Sequence, residues 1–369
     1  MTDEDRVLAF LVRSKRSFAF WRYPEEDTVH FCMQSYGQPA VLHEIEDLNG
    51  REGFVFAPFD VSEEHPIILL NPDTFSWEDV KVRYREVAGV FPSVCRETAP
   101  GILSPEEEKD LYESRFGLFS RALAGKKFDK LVLSRKHIIR RNGTDGLYLS
   151  FLRAAKRYIY SYVYLFHSPE TGTWMGSTPE ILLAGQDACW KTVALAGTQP
   201  LRDGKIPAEW DEKNWREQQI VAEYIREQLG SVSISAKEEG PFPVRAGEIS
   251  HLKSIFSFVL EERTALGNLL ALLHPTPAVC GLPKAAAFRF IRRNEGYDRA
   301  YYSGFVGRLC PAGRTSLYVN LRCMQVKEDC YELYAGGGLL ASSRMENEWE
   351  ETNEKLKTMS RLLPNGGNP

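Results

Sequence analysis

Three acid and base side chains near the end of the chain are spaced for joint chemistry. Glu348, Glu351 and Lys355 fall at i, i+3 and i+7. If the chain is helical from Arg344 onward, they share one face, two carboxylates beside one ammonium. A glycine-rich turn, Ala335-Gly336-Gly337-Gly338, stands just upstream. Glycine admits positive φ and lets backbone N–H groups approach a ligand closely. Such a corner can hold a hard cation together with an anionic small molecule. A solvated helix face of no consequence fits the same spacing.

Five other segments carry polar groups in unusual settings. Lys130 opens the run KLVLSR at 130–135. A lysine at the mouth of a buried strand can be desolvated, and its neutral amine is then available as a base. A lysine snorkelling at a strand end is the plainer reading. The run GSTPE at 176–180 places Glu180 after a rigid turn, because Pro179 fixes its own φ and biases Thr178 towards extended geometry. Glu180 there is a candidate general acid or an exposed loop glutamate. Leu195-Ala196-Gly197-Thr198 offers open backbone beside a hydroxyl, or a simple turn. Lys213 and Glu217 stand four apart on a helical pattern. If Glu217 faces Glu351, the two repel unless a cation lies between them, and two carboxylates with waters and an anionic ligand is a typical magnesium arrangement. If Glu217 faces solvent, it is a routine helix carboxylate. His274-Pro275-Thr276-Pro277 and Arg322 add polar and cationic groups. Arginine suits bidentate carboxylate binding, whereas a histidine before proline is more often structural. No P-loop, dinucleotide fingerprint, nucleophile elbow or HExxH sequence is present.

The elements that must position these groups are partly readable. Phe18 to Tyr23, Val29 to Met33 and Gly53 to Phe59 read as aromatic-rich strands. Ser104, Pro105 and Glu107 form a helix start with a capping box, and the helix runs towards Leu123. Lys130 to Ile139 reads as a strand, Leu147 to Tyr158 as a helix and Tyr160 to Phe166 as an aromatic strand. Trp174 to Ala184 reads as a turn between strands, and Ala194 to Pro200 as a loop. Glu212 to Leu229 is a long amphipathic helix stopped by Gly230. Ala265 to Leu273 and Pro283 to Arg293 are helical. Tyr301 to Val306, Ser316 to Val326 and Tyr331 to Leu340 make a three-strand antiparallel run, with Arg322 in a strand beside the glycines. Asn347 to Leu363 closes as a helix, and the tail 364–369 is expected to fray. The expected class is α+β, with residues 1–100 a strand-rich part packed on the core and 101–363 one continuous domain.

Composition narrows the function classes. Lys and Arg number 46 against 50 Asp and Glu, and the net charge of −4 is well interspersed. No nucleic-acid or membrane footprint follows from this. The richest apolar stretch, Leu266 to Leu273, is too short to span a bilayer. The acidic start, Thr2-Asp3-Glu4-Asp5, is unlike a signal peptide. Seven scattered cysteines with no C-x-x-C pair fit reduced thiols in a cytoplasm.

Taken in order, the segments resemble the chorismate-utilising enzymes over roughly residues 100 to 363. That group includes isochorismate, salicylate, anthranilate and aminodeoxychorismate synthases. The pieces are KLVLSR (130–135), GSTPE (176–180), LAGT (195–198), KNWRE (213–217), HPTPAVCGLP (274–283), LRC (321–323), AGGGLLASS (335–343) and EWEETNEKL (348–356). The resemblance implies an α+β fold with antiparallel sheets in a sandwich flanked by helices. It implies that a lysine where Lys130 stands marks water-adding members, where ammonia-adding ones carry glutamine. Ala196 replaces the lysine that aminodeoxychorismate synthases use for covalent attack. The expectation is therefore conversion of chorismate to isochorismate, feeding menaquinone or siderophore biosynthesis. Salicylate synthase, which goes on to eliminate pyruvate, and a non-catalytic chorismate-binding protein are the alternatives. By resemblance, Lys130 is the base and Glu180 the acid, and Mg²⁺ is held by Glu217 and Glu351 with Glu348 nearby. Gly197, Thr198, His274, Arg322, Gly336, Gly337, Gly338 and Lys355 are the substrate contacts. A monomer without a glutamine amidotransferase partner is expected. Gln218 departs from the histidine that many members carry after the metal-site glutamate.

Overall fold

Along Tyr162–Ser168 every residue is buried, with Tyr162, Tyr164 and Phe166 on one face and Val163 and Leu165 on the other. A strand apolar on both faces needs a covering layer on each side. The fold is built from that requirement. The computed structural model describes residues 2–90, 101–141, 146–201, 203–247 and 249–363, without the side chains of 88–90.

In chain order the elements are α1 (Asp3–Arg13), β1 (Ser17–Arg22), β2 (His30–Gln34), β3 (Ala40–Leu42), β4 (Gly53–Ala57), β5 (Ile67–Leu70), α2 (Trp77–Val90), α3 (Pro105–Ala124), β6 (Lys130–Arg140), α4 (Leu147–Arg157), β7 (Tyr162–Ser168), β8 (Gly172–Thr178) and β9 (Ile181–Gln186). There follow β10 (Cys189–Pro200), α5 (Glu212–Ser231), β11 (Ala236–Ala246), β12 (Ile249–Val259), α6 (Leu266–Leu273), β13 (Gly281–Leu282), α7 (Lys284–Asn294), β14 (Phe305–Leu309), β15 (Thr315–Val319), β16 (Cys323–Val326), β17 (Cys330–Leu339) and α8 (Met345–Ser360).

Two antiparallel sheets result. One has the order β13-β6-β17-β16-β8-β7-β1-β2, the other β11-β12-β10-β9-β15-β14-β4-β5-β3. Their facing surfaces enclose an aromatic core in which Phe56 stacks on Phe166 at 4.5 Å and Tyr162 on Tyr318 at 4.2 Å between ring centroids. The outer face of the first sheet packs on α1, α4 and α8, and that of the second on α5 and α6. The expected α+β sandwich with helical flanks is therefore the observed architecture. The first five strands lie in both sheets. Among the described residues no helix is long and apolar enough to cross a membrane, and the described cysteines are all free.

The Ser104 capping box is present, with Ser104 N donating to Glu107 at 2.7 Å and Glu107 N to Ser104 at 3.2 Å. Several expectations need correction. Residues 194–200 are not a loop but the end of β10, paired along its length with β12 and interrupted by a bulge at Gly197, φ +70°. The small residues read as a turn, but a long partner strand supplies the ladder. Residues 174–184 hold two strands, β8 and β9, with only Pro179 and Glu180 between them. Residues 316–326 are not one strand: β15 belongs to the second sheet and β16 to the first. The three-strand run is thus split, and Arg322 lies in the link rather than in a strand. The glycines 336–338 are no turn either. They lie inside β17, register against Ser134, Leu133 and Val132, and have no positive φ. The tail 364–369 lies outside the described residues.

Candidate active site

The site forms where the two sheets exchange chain. Glu180 ends the link from β8 to β9, and Arg322 ends the link from β15 to β16. Both side chains are turned inward and almost fully buried. Arg322 has a φ of +47°, a left-handed conformation that costs about 1 kcal/mol or more for a residue with a Cβ. Its guanidinium is spread between Ala246 O at 2.9 Å and His251 Nε2. That contact makes His251 Nε2 the acceptor, so Nδ1 carries the proton and donates to Gly197 O at 2.9 Å. Burial and the Arg322 charge push the His251 pKa well down, consistent with a neutral ring.

A cleft opens beside these links. It is lined by Val132 of β6, Glu180, the Leu195–Thr198 stretch of β10, Glu217 of α5, Arg322, Gly336 and Gly338 of β17, and Lys355 of α8. β16 registers only as far as Leu333 of β17, while β6 continues to Leu339. Beyond Leu333, among the described residues, β16 no longer pairs with β17, and the cleft is lined there by Tyr334, Ala335, Gly336 and Gly338. A wider mouth, sharing Thr198, is lined by Lys213, Arg216, Arg344, Glu348 and Glu351.

The three carboxylates expected around a cation each hold a lysine of their own. Lys130 Nζ lies 2.8 Å from Glu217 Oε1, Lys213 Nζ 2.7 Å from Glu348 Oε1, and Lys355 Nζ 2.7 Å from Glu351 Oε1. The Lys130 contact is an ion pair without hydrogen-bond alignment. Lys355 also donates to Gly336 O at 2.7 Å. The glycines make this crowding possible. A Cβ on Gly338 would stand 2.1 Å from Glu217 Oε1 and 2.7 Å from Lys130 Cε. One on Gly337 would stand 3.1 Å from Glu348 Oε2 and 3.5 Å from Glu351 Oε1. The glycines therefore serve by absence of side chain, not by unusual φ.

Burial dominates the electrostatics. It pushes the Glu180 pKa up to about 8, against the lowering influence of Lys130, Thr276, Lys355 and Arg322. Burial, then the Glu351 charge, raises Glu348 to about 7, with Lys213 opposing. Burial also pushes Glu351 up, but Lys355 and Lys213, with Thr198, outweigh it and the net shift is downward. Glu348 Oε2 is buried with no hydrogen-bond partner. Hard oxygen donors, an orphaned carboxylate oxygen and a side-chain-free cradle at Gly337 fit a hard divalent cation. The oxygens of Glu217, Glu348 and Glu351 are not all within 4.8 Å of one another.

Most of the expected site residues converge. Glu180, Glu217, Gly197, Thr198, Arg322, Gly336, Gly338 and Lys355 line the inner cleft, and Glu348 and Glu351 line its mouth. Lys130 is fully buried just behind Gly338 and Glu217, and Gly337 backs onto Glu348 and Glu351. His274 stands apart from both linings, packed edge-on against Phe305 at 5.2 Å. Four participants were not among the expected site residues. His251 and Thr276 reach Arg322 and Glu180 respectively, the latter at 3.5 Å. Lys213 pairs with Glu348 rather than with Glu217, its neighbour four residues on. Gln218 accepts from Ala196 N at 3.0 Å and donates to Ala194 O at 3.2 Å, tying α5 to β10. Thr276 sits in a segment singled out for its histidine, so a signal was there; β12, which carries His251, was not recognised.

A family model described as chorismate binding enzyme matches residues 96–364. The isochorismate synthase DhbC of Bacillus subtilis (strain 168) is 33% identical over 201 residues, covering 52% of this chain and 50% of that protein. The isochorismate synthase EntC of Escherichia coli (strain K12) is 30% identical over 266 residues, covering 68% of this chain and 66% of that protein. The chain thus spans between half and just under two thirds of the length of these relatives. The solved structure of MenF, the menaquinone-specific isochorismate synthase from Escherichia coli, matches with a TM-score of 0.73 at 22% identity. That match covers 96% of this chain and 90% of that one, so the two share a fold.

Proposed function

We infer that this chain, which belongs to the family of chorismate-binding enzymes, converts chorismate to isochorismate by adding water at C2 and expelling the C4 hydroxyl. The observation that carries the reading is Glu180. It is a fully buried carboxyl with a pKa pushed to about 8, so it holds a proton to donate at neutral pH. It also lies within electrostatic reach of Lys130. Lysine where Lys130 stands and Ala196 without an amine favour water as the nucleophile.

In this reading Lys130 takes a proton from water, whose oxygen bonds to C2. The ring double bond shifts, and the C4 hydroxyl leaves as water with the proton from Glu180. One water is consumed and one released, so the net reaction is an isomerisation. For this the Lys130 ammonium first passes its proton to Glu217, 2.8 Å away, which leaves a neutral amine to meet that water. Arg322 and the open backbone at Gly336–Gly338 receive the enolpyruvyl carboxylate. Gly197 and Thr198 border the ring, and Lys355 balances charge at Glu351. Glu217, Glu348 and Glu351 are the residues that would hold Mg²⁺, which would neutralise the ring carboxylate of the substrate.

Product analysis tests this. Purified protein with chorismate and Mg²⁺ is expected to give isochorismate with no requirement for ammonium and no pyruvate. Salicylate with pyruvate would move the reading to a salicylate synthase. Binding without conversion would leave only a chorismate-binding protein.

A further inference from the structure

The strand that carries Lys130 carries Arg135 five residues on, so the two side chains leave opposite faces of β6. Arg135 is buried, and each of its three guanidinium nitrogens donates to a neighbouring helix. Nε donates to Thr352 Oγ1 at 2.8 Å, Nη2 to Asn353 Oδ1 and Nη1 to Glu108 Oε2 at 2.9 Å. The guanidinium plane lies 3.9 Å over the Trp349 ring. Glu108 of α3 is fixed in turn by His137 of β6 at 2.8 Å. Trp349, Thr352 and Asn353 interleave in sequence with Glu348, Glu351 and Lys355. At 3.6 residues per turn the gripped face lies roughly 120° around α8 from the face that carries the carboxylates.

The other ties of α8 at that end are Lys213 to Glu348 at 2.7 Å and the packing of Met345 and Trp349, the latter against Tyr112 at 5.4 Å. Its N-cap, Arg344, makes no side-chain cap hydrogen bond, and Glu348 lies in its first turn. A change in the rotation or depth of α8 moves both carboxylates relative to Gly337 at once. We propose that Arg135 is a positioning residue: its fork and stacking set α8 so that Glu348 and Glu351 present their oxygens together over Gly337. This rests on the reading of those two carboxylates as cation ligands.

Arg135→Lys keeps the charge but loses the planar fork, and Trp349→Leu removes the stacking partner from the other side. Both are measured as full-length protein by far-UV circular dichroism, by hydrogen exchange of α8 amides and by Mn²⁺ binding followed by electron paramagnetic resonance. The expected result is native secondary structure and faster exchange confined to α8. Mn²⁺ affinity falls about ten- to a hundredfold in Arg135→Lys, the range for residues that orient metal ligands, and less in Trp349→Leu. Unchanged α8 exchange and unchanged Mn²⁺ affinity in a folded Arg135→Lys overturn the proposal. Failure of the wild-type protein to bind Mn²⁺ overturns the cation reading instead, and the exchange rates still decide whether Arg135 holds α8.

Discussion

Glu180 and Arg322 lock the two sheet crossings to each other. The Val319 N–H, at the end of the strand before Arg322's link, donates to Glu180 O at 2.9 Å. The Ser177 N–H, near the end of the strand before Glu180's link, donates to Arg322 O at 3.1 Å. Each crossing thus supplies a backbone donor to the other's functional residue. An acid and a cation held by reciprocal backbone bonds are positioned by both sheets rather than by a mobile loop, as preorganised chemistry requires.

The raised pKa of Glu180 gives a pH dependence with a definite sign. The acid must be protonated to donate, so turnover is expected to fall as pH rises through about 8. Stability follows the same direction. A folded pKa above the unfolded one gives a contribution fully present below about 4.5 and lost as pH rises to about 8, on the order of 5 kcal/mol for this buried group. Glu180→Gln is therefore expected to lose about 10²- to 10⁴-fold in kcat yet to unfold at a higher temperature than wild type at pH 9. Thermal unfolding at pH 6 and pH 9 checks the second part; a destabilised variant at pH 9 would refute it.

Thr276 lowers the Glu180 pKa by donating to its carboxylate. Thr276→Val removes that influence, so the alkaline limb of the rate profile is expected to move to higher pH. The shift is small, a few tenths of a pH unit for a hydrogen bond this long. A profile from pH 6 to 10 for both proteins measures it, and a shift to lower pH would contradict the assignment.

How much of this was legible in the sequence depends on range. Ser104 with Glu107, and the spacing of Glu348, Glu351 and Lys355, are local patterns and were read correctly in form. The crossing at Asn320–Arg322 was not, because Asn320 is a single strand-poor residue inside the otherwise strand-like run Ser316 to Val326, and pairing with β14 on one side and β8 on the other divides it. The glycines 336–338 suggested a turn, since propensity cannot register that Glu217, Lys130, Glu348 and Glu351 occupy the space their side chains would fill. Lys213 with Glu348 and Arg322 with His251 join residues 135 and 71 apart, beyond the reach of any periodicity.

Lys130 and Glu217 neutralise each other in the interior. Lys130→Met leaves a buried carboxylate without its partner, which costs about 3–5 kcal/mol. Adding Glu217→Gln is expected to restore most of that loss while leaving turnover absent. Urea unfolding of the two single variants and the double variant closes the cycle; additive losses would show that the pair is not coupled.

Three lysines already neutralise the three carboxylates, so the fold has no need of a cation for charge balance. Treatment with EDTA is expected to stop turnover, to be reversed by Mg²⁺, and to leave the unfolding midpoint in urea unchanged. A large drop in the midpoint would mean that the ion is structural.

The two glycines face different parts of the proposed site, Gly338 the Lys130–Glu217 pair and Gly337 the carboxylates of Glu348 and Glu351. Alanine at 338 would press a methyl group to 2.1 Å from Glu217 Oε1 and 2.7 Å from Lys130 Cε, both buried and hemmed in. Neither can yield without breaking their ion pair, so Gly338→Ala is expected to lose at least about 10²-fold in kcat, the scale for displacing a catalytic group by about 1 Å. Alanine at 337 would meet Glu348 Oε2 at 3.1 Å and Glu351 Oε1 at 3.5 Å, which a small shift of one carboxylate relieves. Its effect belongs on the cation: Gly337→Ala is expected to need more Mg²⁺ for half-maximal rate and to keep kcat within about tenfold at saturation. Steady-state kinetics over a Mg²⁺ titration distinguishes the two, and a kcat loss in Gly337→Ala equal to that in Gly338→Ala would undo the division of labour between the faces of β17.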